Sequence, residues 1–186
     1  MNHKIIIIAA PSGAGKTTLV KRLVKACPQL EFAVSACTRE PRPGEVHGKD
    51  YYFYKVDEFK KLIEQGAFVE WEMVYTGKYY GTLRSEFNRI WSEGKYPLVE
   101  IDVKGAINIK KEFANNAMSI FIEAPSMEAL RERLKFRGTE SDEHLEERLE
   151  KALFEMSFAP QFDKRVVNEH LETATDELVN IVNAFI

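Results

Sequence analysis

The sequence has few cysteines, no long apolar run and no excess of positive charge. Its 186 residues include two cysteines, Cys27 and Cys37, too few for a disulfide framework or a metal cluster, so both are expected to be small core residues in a reducing cytoplasm. No apolar run has the length of a membrane span or the flanks of a signal peptide. The formal charge of -3 argues against general nucleic-acid binding. The four histidines show no metal-ligand spacing. We therefore expect one globular cytoplasmic domain that binds neither nucleic acid nor membrane.

What the sequence does contain is a glycine-rich stretch at residues 9–18, reading Ala-Ala-Pro-Ser-Gly-Ala-Gly-Lys-Thr-Thr. Four isoleucines before it predict a buried strand, and leucines and valines at helical spacing after it predict an amphipathic helix. A strand, a glycine turn and a helix that begins with Gly-Lys-Thr form the context of a P-loop. One residue departs from the pattern, because Ala10 occupies the position of its first glycine. The alternative is a plain strand-to-helix turn.

In a P-loop, glycines let backbone N–H groups point at phosphate, and the helix N-terminus adds partial positive charge. Lys16 could then reach the β- and γ-phosphates, while the Thr17 hydroxyl could lie near Mg²⁺. The predicted triphosphate site consists of Ser12, Gly13, Ala14, Gly15, Lys16, Thr17 and Thr18.

Short apolar segments alternate with helical patterns along much of the chain. This alternation, together with an early P-loop, predicts a doubly wound parallel sheet in an α/β fold. The predicted core strands are residues 4–8, 32–37, 97–102, 119–122 and 164–168. A last helix is predicted at residues 175–185.

Two regions carry side chains that such a core does not need. Residues 35–95 form an aromatic insert, with predicted strands at 51–54, 68–75 and 79–82 and a helix ending at Gly66. Its loop at residues 38–51 holds Arg39 and Arg42, which could form a fork for a second phosphate or belong to a solvated loop. Residues 131–151 are basic around Gly138, and leucines at helical spacing predict a long helix that Ser141 caps. An insert and a basic lid on a P-loop core, residues 1–34, 96–130 and 152–186, are typical of a kinase for a small phosphorylated acceptor.

Over essentially the whole chain, these residues resemble the guanylate kinase family. The resemblance depends on five motifs that occur in order: Ser12-Gly13-Ala14-Gly15-Lys16-Thr17, Thr38-Arg39-Glu40-Pro41-Arg42-Pro43-Gly44-Glu45, Gly48-Lys49-Asp50-Tyr51, Tyr79-Tyr80-Gly81-Thr82 and Arg137-Gly138-Thr139-Glu140-Ser141. It implies a P-loop nucleoside monophosphate kinase that transfers the γ-phosphoryl group of ATP to GMP or dGMP with Mg²⁺, as a monomer or homodimer in purine nucleotide metabolism.

The resemblance also implies roles for individual residues. The GMP phosphate would be held by Arg39, Arg42, Tyr51 and Tyr80. Guanine would be read by Ser35, Glu70 and Thr82, with Asp102 near the nucleoside. The lid arginines that neutralise the transferring group would be Arg133, Arg137 and Arg148. Where the family usually has Asp-Ile-Asp, this chain has Glu100-Ile101-Asp102, so Glu100 is expected to help place Mg²⁺ through water.

Two other functions remain alternatives at this point. Guanylate kinase-like domains also occur as peptide-binding scaffold modules, which have typically lost parts of the P-loop and lid, whereas Lys16, Thr17 and the lid arginines are present here. A kinase for another acceptor, such as a different nucleotide or a sugar phosphate, would share the same core. A substrate panel separates these possibilities.

Overall fold

The structure, a computed structural model, describes residues 3–136 and 142–186. Predicted features at Arg137 and Ser141 lie outside the described residues. Within the described ranges, the strands are β1 Ile5–Ala9, β2 Leu30–Phe32, β3 Ala36–Cys37, β4 Tyr52–Phe53, β5 Phe68–Tyr75, β6 Lys78–Leu83, β7 Tyr96–Glu100, β8 Ala117–Glu123 and β9 Lys164–Val167. The helices are α1 Lys16–Ala26, α2 Val56–Glu64, α3 Arg84–Ser92, α4 Val103–Phe113, α5 Met127–Phe136, α6 Asp142–Met156 and α7 Leu171–Phe185.

The core is a five-stranded sheet in the order β2-β7-β1-β8-β9. Each neighbouring pair is parallel, and in the central strand Ile7 lies beside Val99 on one side and Ser119 on the other. Parallel strands need crossover connections, which helices provide here. The predicted doubly wound parallel sheet is confirmed.

The isoleucine run fills both faces of this sheet, because successive side chains of a strand point to opposite sides. Ile5 and Ile7 belong to a core cluster with residues of α3 and α4. Ile6 and Ile8 belong to a second cluster with residues of α1 and α7. All four are fully buried. The strand is apolar throughout because helices cover it on both sides.

The insert forms a second, four-stranded sheet in the order β4-β3-β6-β5. β5 and β6 make an antiparallel hairpin, as the alternation at residues 68–75 predicts. A small core of its own supports this sheet, in which Phe59 of α2 stacks on Phe68 with ring centroids 4.3 Å apart.

The prediction of one strand over residues 32–37 is wrong. The chain pairs with β7 up to Phe32 and then with β6 from Ala36, so residues 33–35 cross from one sheet to the other. The Ala33 N–H still donates to Leu98 of the core, 2.9 Å away, whereas the Ser35 carbonyl accepts from Tyr52 of the insert at 2.9 Å. Small and apolar residues lie on both sides of this crossing, so the sequence pattern does not indicate where one strand ends and the next begins.

Several element boundaries also differ from prediction. β7 ends at Glu100 because the Asp102 carboxylate caps α4 by accepting from the Gly105 N–H at 2.8 Å. The strand predicted at residues 51–54 covers Tyr52–Phe53, and α7 starts at Leu171 rather than at residue 175.

Helices α5 and α6 share a separate apolar cluster. The Ser126 hydroxyl accepts from the Ala129 N–H at 3.1 Å and thereby caps α5. In the described part of the chain, no helix has the length and apolarity needed to cross a membrane.

Candidate nucleotide-binding site

The P-loop lies at the carboxyl end of the central strand, between β1 and α1. Gly13 and Gly15 have φ values of 89° and 90°, in the left-handed region that favours glycine. A Cβ atom on Gly15 would stand 2.3 Å from the Asn168 side-chain nitrogen. That nitrogen donates to the Ala14 carbonyl at 2.8 Å, so Asn168 holds the loop from the far end of the chain. Both the backbone angle and this close approach require glycine at position 15.

Lys16 is the first residue of α1, where a positive side chain opposes the helix dipole. Its Nζ atom lies 3.4 Å from Glu100 Oε1, at the end of the neighbouring strand β7. The cavity beside it, of about 240 Å³, is lined by Ala10, Pro11, Ser12, Gly13, Gly15, Lys16, Thr17, Asp102 and Glu155. The positive charge of Lys16 is unfavourable at the N-terminus of a helix unless an anion offsets it. The cavity therefore suits an anionic ligand.

The oxygen groups around this cavity fit Mg²⁺. Thr17 offers an exposed hydroxyl, and Asp102 a carboxylate, on its wall, while Glu100 lies next to Lys16. Within the described ranges, no three His, Cys, Asp or Glu residues are grouped so as to hold a metal by themselves. Mg²⁺ suits such a place, because it usually keeps several waters and binds through one or two protein oxygens together with substrate phosphates.

Helix α6 reaches the P-loop at Ser12. Arg148 donates from Nη2 to the Ser12 hydroxyl at 3.1 Å. The Glu155 carboxyl lines the same cavity as Ser12. Burial raises the pKa of Glu155 above its usual value, and Lys151, the Ser12 backbone and Lys16 offset only part of that effect. Arg148 and Glu155, both of α6, therefore lie near the cavity beside Lys16, which we call the phosphate cavity.

A second cavity, of about 480 Å³, opens on the other side of the P-loop. Arg133 lines it and donates from Nη2 to the Asn168 carbonyl at 2.9 Å. Gly13, Gly15 and Thr18 also line it. Arg133 thus lies beside the loop, whereas Arg148 lies at the phosphate cavity.

Glu70 and Thr82 meet because of a β-bulge. The pairing of β5 with β6 shifts between Phe68 and Glu70, which places Glu70 opposite Thr82. The buried Thr82 hydroxyl donates to Glu70 Oε1 at 2.8 Å. Burial raises the pKa of Glu70 to about 7, an effect that the Thr82 hydrogen bond opposes and the nearby Asp102 charge strengthens. Glu70 is therefore a poorly solvated carboxylate that can accept further hydrogen bonds.

Asp102 contributes to two cavities of the site. It lines the phosphate cavity and also a cavity of about 220 Å³ that Glu72, Lys151 and Phe154 help to form. Burial and a hydrogen bond with Asp102 raise the pKa of Glu72. A Cβ atom on Gly105 of α4 would stand 2.4 Å from Ile101 Cδ1 and 3.3 Å from Glu70 Oε2, so a glycine there leaves room for Glu70.

The Arg39 side chain packs against Tyr51, whose ring in turn contacts Tyr80. The Arg39 guanidinium lies 4.8 Å from the Tyr51 ring centroid, and the Tyr51 and Tyr80 rings meet edge to face at 6.3 Å. Glu45 holds Arg39 through two bonds of 2.6 and 2.7 Å. The bonds from Arg39 and the Arg42 backbone lower the pKa of Glu45 to about 2. Arg39 is thus oriented in advance, with its charge balanced by Glu45.

The other predicted residues lie less centrally. Ser35 is half-buried at the crossing between the sheets, and the Arg42 side chain is exposed. The predicted residue Arg137 lies outside the described ranges. Four further residues of the site were not predicted from the sequence: Glu45, Glu72, Glu155 and Asn168. Of these, Glu45 and Glu72 stand near predicted residues in the sequence, and Asn168 ends a predicted core strand. The helical pattern around Glu155 did not distinguish it from its neighbours.

Comparison with known proteins agrees with this geometry. The family model described as "Guanylate kinase" matches residues 2–185. The chain is 48% identical to a guanylate kinase of Chlorobium chlorochromatii over 98% of this chain and 96% of the relative. It is 46% identical to one of Porphyromonas gingivalis, with 98% of each chain covered.

Among solved structures, the crystal structure of guanylate kinase from Anaplasma phagocytophilum matches with a TM-score of 0.74 and 32% identity. The match covers 97% of this chain and 85% of that chain. The fold, the P-loop geometry and these full-length relatives lead to one assignment: the chain belongs to the guanylate kinase family.

Proposed function

We propose that the chain transfers the γ-phosphoryl group of ATP to GMP or dGMP, giving ADP and GDP or dGDP, in the purine nucleotide metabolism of the cytoplasm, where ATP and nucleoside monophosphates are available. The observation that carries this proposal is the pairing of the half-buried Glu70 with Thr82. Asp102 lies close enough to Glu70 for its charge to raise the pKa of Glu70, and it also lines the cavity at the P-loop. The site is then a donor half and an acceptor half that meet at Asp102.

On the donor side, the backbone from Ser12 to Thr18 holds the triphosphate, with Lys16 at the β- and γ-phosphates. The cavity lined by Arg133 and Asn168 has room for the rest of the donor nucleotide. Lys16 must exchange part of its interaction with Glu100, 3.4 Å away, for phosphate oxygens. A side chain that is only loosely paired can make this exchange at little cost.

Mg²⁺ would be held by the Thr17 hydroxyl, the donor phosphates and, through water, Glu100. When bound it neutralises developing charge on the β- and γ-phosphate oxygens. Glu100 carries one methylene more than the aspartate usual in the family, and a Mg²⁺ ion that keeps several of its waters can accommodate this difference in length.

On the acceptor side, Arg39, Arg42, Tyr51 and Tyr80 would hold the GMP phosphate. Arg39 meets phosphate with its guanidinium already oriented by Glu45 and by the Tyr51 ring. Arginine suits this role because its planar donors match phosphate oxygens. The insert at residues 35–95 would act as the acceptor-binding subdomain.

Guanine would be read by Glu70, with Ser35 and Thr82 beside it. Guanine presents N1–H and N2–H₂ as adjacent donors, and one carboxylate can accept both. Thr82 occupies one position on Glu70 Oε1, and the remaining lone pairs are available to the base. Adenine would bring an acceptor towards the carboxylate and lacks the 2-amino group, so the same contact rejects it.

In the transfer step, a phosphate oxygen of GMP attacks the γ-phosphorus, and the bond between that phosphorus and the oxygen bridging to the β-phosphate breaks. Arg39, Arg133, Arg137 and Arg148 would neutralise the transferring group. Arg148 lies at the cavity through its bond to Ser12. Residues 131–151 would act as the lid that excludes water during this step.

The test is a panel of acceptors, GMP, dGMP, AMP and UMP, each with ATP and Mg²⁺. We expect GMP to be preferred over AMP by about 10⁴-fold in kcat/KM, because a mismatched base leaves buried polar groups unpaired. Glu70→Ala should lower kcat/KM for GMP by about 10²-fold or more, and Glu70→Gln should lower it less, since its carbonyl still accepts one bond.

Glu64→Ala, at an exposed glutamate of the insert, is the matched control and should leave the preference unchanged. Comparable use of AMP and GMP by the parent would contradict the proposal. A Glu70→Ala variant that keeps full preference would show that guanine is read elsewhere.

A further inference from the structure

Two short segments carry the chain between its two sheets. Residues 33–35 lead from β2 of the core to β3 of the insert, and α3 leads back from β6 to β7. Everything between these segments, including Glu70 and Tyr80, belongs to the second sheet, its helix or their loops. The relative position of the two crossings therefore influences how the insert faces the P-loop.

One carboxylate binds both crossings. Glu86 lies on α3, is 2% exposed, and accepts a hydrogen bond at Oε1 from the Val34 N–H at 3.1 Å. At Oε2 it accepts from the Tyr52 hydroxyl of β4 at 2.9 Å. Both crossings and a strand of the insert thus meet at a single side chain.

Arg89, one helical turn further along α3, completes this cluster. It donates to Glu86 from Nε at 3.1 Å and from Nη2 at 2.8 Å. Its guanidinium also pairs with Glu31 of β2 at 2.7 Å and with Glu93 at 2.8 Å. Although burial raises the pKa of Glu86, the bonds from Arg89, Val34 and Tyr52 outweigh burial, and the pKa is lowered. The buried group is a fully hydrogen-bonded carboxylate.

Ser35 directly follows Val34, the residue whose backbone N–H this carboxylate binds. Glu86 holds the backbone N–H of Val34, and the Ser35 carbonyl accepts from the backbone of Tyr52 at 2.9 Å. The residue proposed to contact guanine is thus fixed on both sides by groups that Glu86 binds. A change at Glu86 would reach the acceptor base through Ser35 without any contact between Glu86 and the nucleotide.

We infer that Glu86 is a positioning residue for the acceptor: by tying Val34 to Tyr52, it holds Ser35 and the insert in the orientation that binds GMP. The inference rests on the proposed function. A buried ion pair contributes little net stability relative to apolar packing, so geometric definition is the effect to expect of it. The donor half of the site lies on the core sheet and does not depend on this connection.

The central test is Glu86→Gln, which keeps the shape and an acceptor for the Val34 N–H but removes the charge. Its amide nitrogen then takes the place of Oε2 and faces both the Tyr52 hydroxyl and Arg89 Nε. We expect KM for GMP to rise about tenfold, as for one lost charge-assisted bond. KM for ATP, and kcat at saturating GMP, should stay within about twofold of the parent.

Glu93→Gln is the matched control. It also removes a carboxylate partner of Arg89, but Glu93 contacts neither Val34 nor Tyr52, so both KM values should stay at those of the parent. Tyr52→Phe removes one hydrogen bond without touching a charge and should raise KM for GMP a few-fold. Since Tyr52→Phe is the milder change, it keeps the inference testable if Glu86→Gln does not fold.

Hydrogen exchange gives a readout independent of turnover. The Val34 amide should be protected in the parent and in Glu93→Gln, and should exchange faster in Glu86→Gln. An unchanged KM for GMP in Glu86→Gln or Tyr52→Phe would overturn the inference. Equal changes in the KM values for GMP and ATP would overturn it as well, because they would indicate a general loss of structure. A parent that does not phosphorylate GMP would instead contradict the proposed function.

Discussion

The donor and acceptor halves of this site are built in opposite ways. The P-loop takes its ligand groups from consecutive residues, and its binding surface is mainly backbone N–H groups at the start of one helix. The acceptor half takes single side chains from a sheet crossing, a loop, two strands and a helix cap. A contiguous backbone site can be recognised from a short motif, whereas a site assembled from side chains depends on register and packing.

The two halves also differ in how their charges are balanced. Lys16 lies 3.4 Å from Glu100, a loose ion pair that leaves its charge available to a ligand. Arg39 is held by two short bonds to Glu45, and Glu70 is half-buried with a pKa raised to about 7. The proposed donor half therefore offers a loosely paired charge, whereas the proposed acceptor half contains charges that are already oriented. Specificity is expected to lie mainly in the acceptor half.

The largest expected effect is the loss of turnover when Lys16 is replaced, which distinguishes the donor half from the acceptor half. Lys16→Met should lower kcat by about 10³-fold or more, because it removes the charge that faces the transferring phosphoryl group. Binding of GMP alone, measured by calorimetry, should be nearly unchanged, because Lys16 belongs to the donor half. Lys21→Met, at an exposed lysine of the same helix, is the control. Turnover within about tenfold of the parent would contradict the role assigned to Lys16.

A second prediction concerns the stability cost of the acceptor carboxylate. Burial raises the pKa of Glu70 from 4.5 to about 7, which corresponds to about 3 kcal/mol. A carboxyl whose pKa is raised on folding stabilises the fold fully below pH 4.5, and this contribution is lost as the pH rises through 7. Glu70→Gln should therefore be more stable than the parent by about 2 to 3 kcal/mol at pH 8, with little difference at pH 4.5.

Urea unfolding of the parent, Glu70→Gln and the exposed control Glu64→Gln at both pH values measures this difference. A Glu70→Gln variant that is no more stable than the parent at pH 8 would mean that Glu70 is solvated in the folded protein.

The smallest effect is the pH dependence of acceptor binding. Only the ionised Glu70 accepts both guanine donors, so kcat/KM for GMP should fall about tenfold from pH 8 to pH 6, as a group with pKa of about 7 is protonated. The GMP phosphate also titrates in this range, so the same profile is measured for Glu70→Gln and the two are compared. Identical profiles would remove Glu70 from guanine recognition. Binding of ATP alone should not follow the Glu70 titration.

Much of the fold followed from local pattern. The strand formed by the isoleucine run, β1, and the strand β5 of the insert lie where the sequence predicts them. The prediction failed where two elements of like composition adjoin: residues 32–37 read as one strand and belong to two sheets. Nothing in a short apolar run reveals which partner strand each of its residues meets.

The sequence by itself determined the P-loop, because a tight glycine turn and a helix start are local structures that ten residues specify. It also determined the family, through motifs spread along the chain. Only the tertiary structure decided that a bulge places Glu70 opposite Thr82, that Asn168 closes on Ala14, and that Glu86 joins two crossings. These contacts join residues far apart in the chain, and burial, which only packing creates, sets the charge state of their carboxylates.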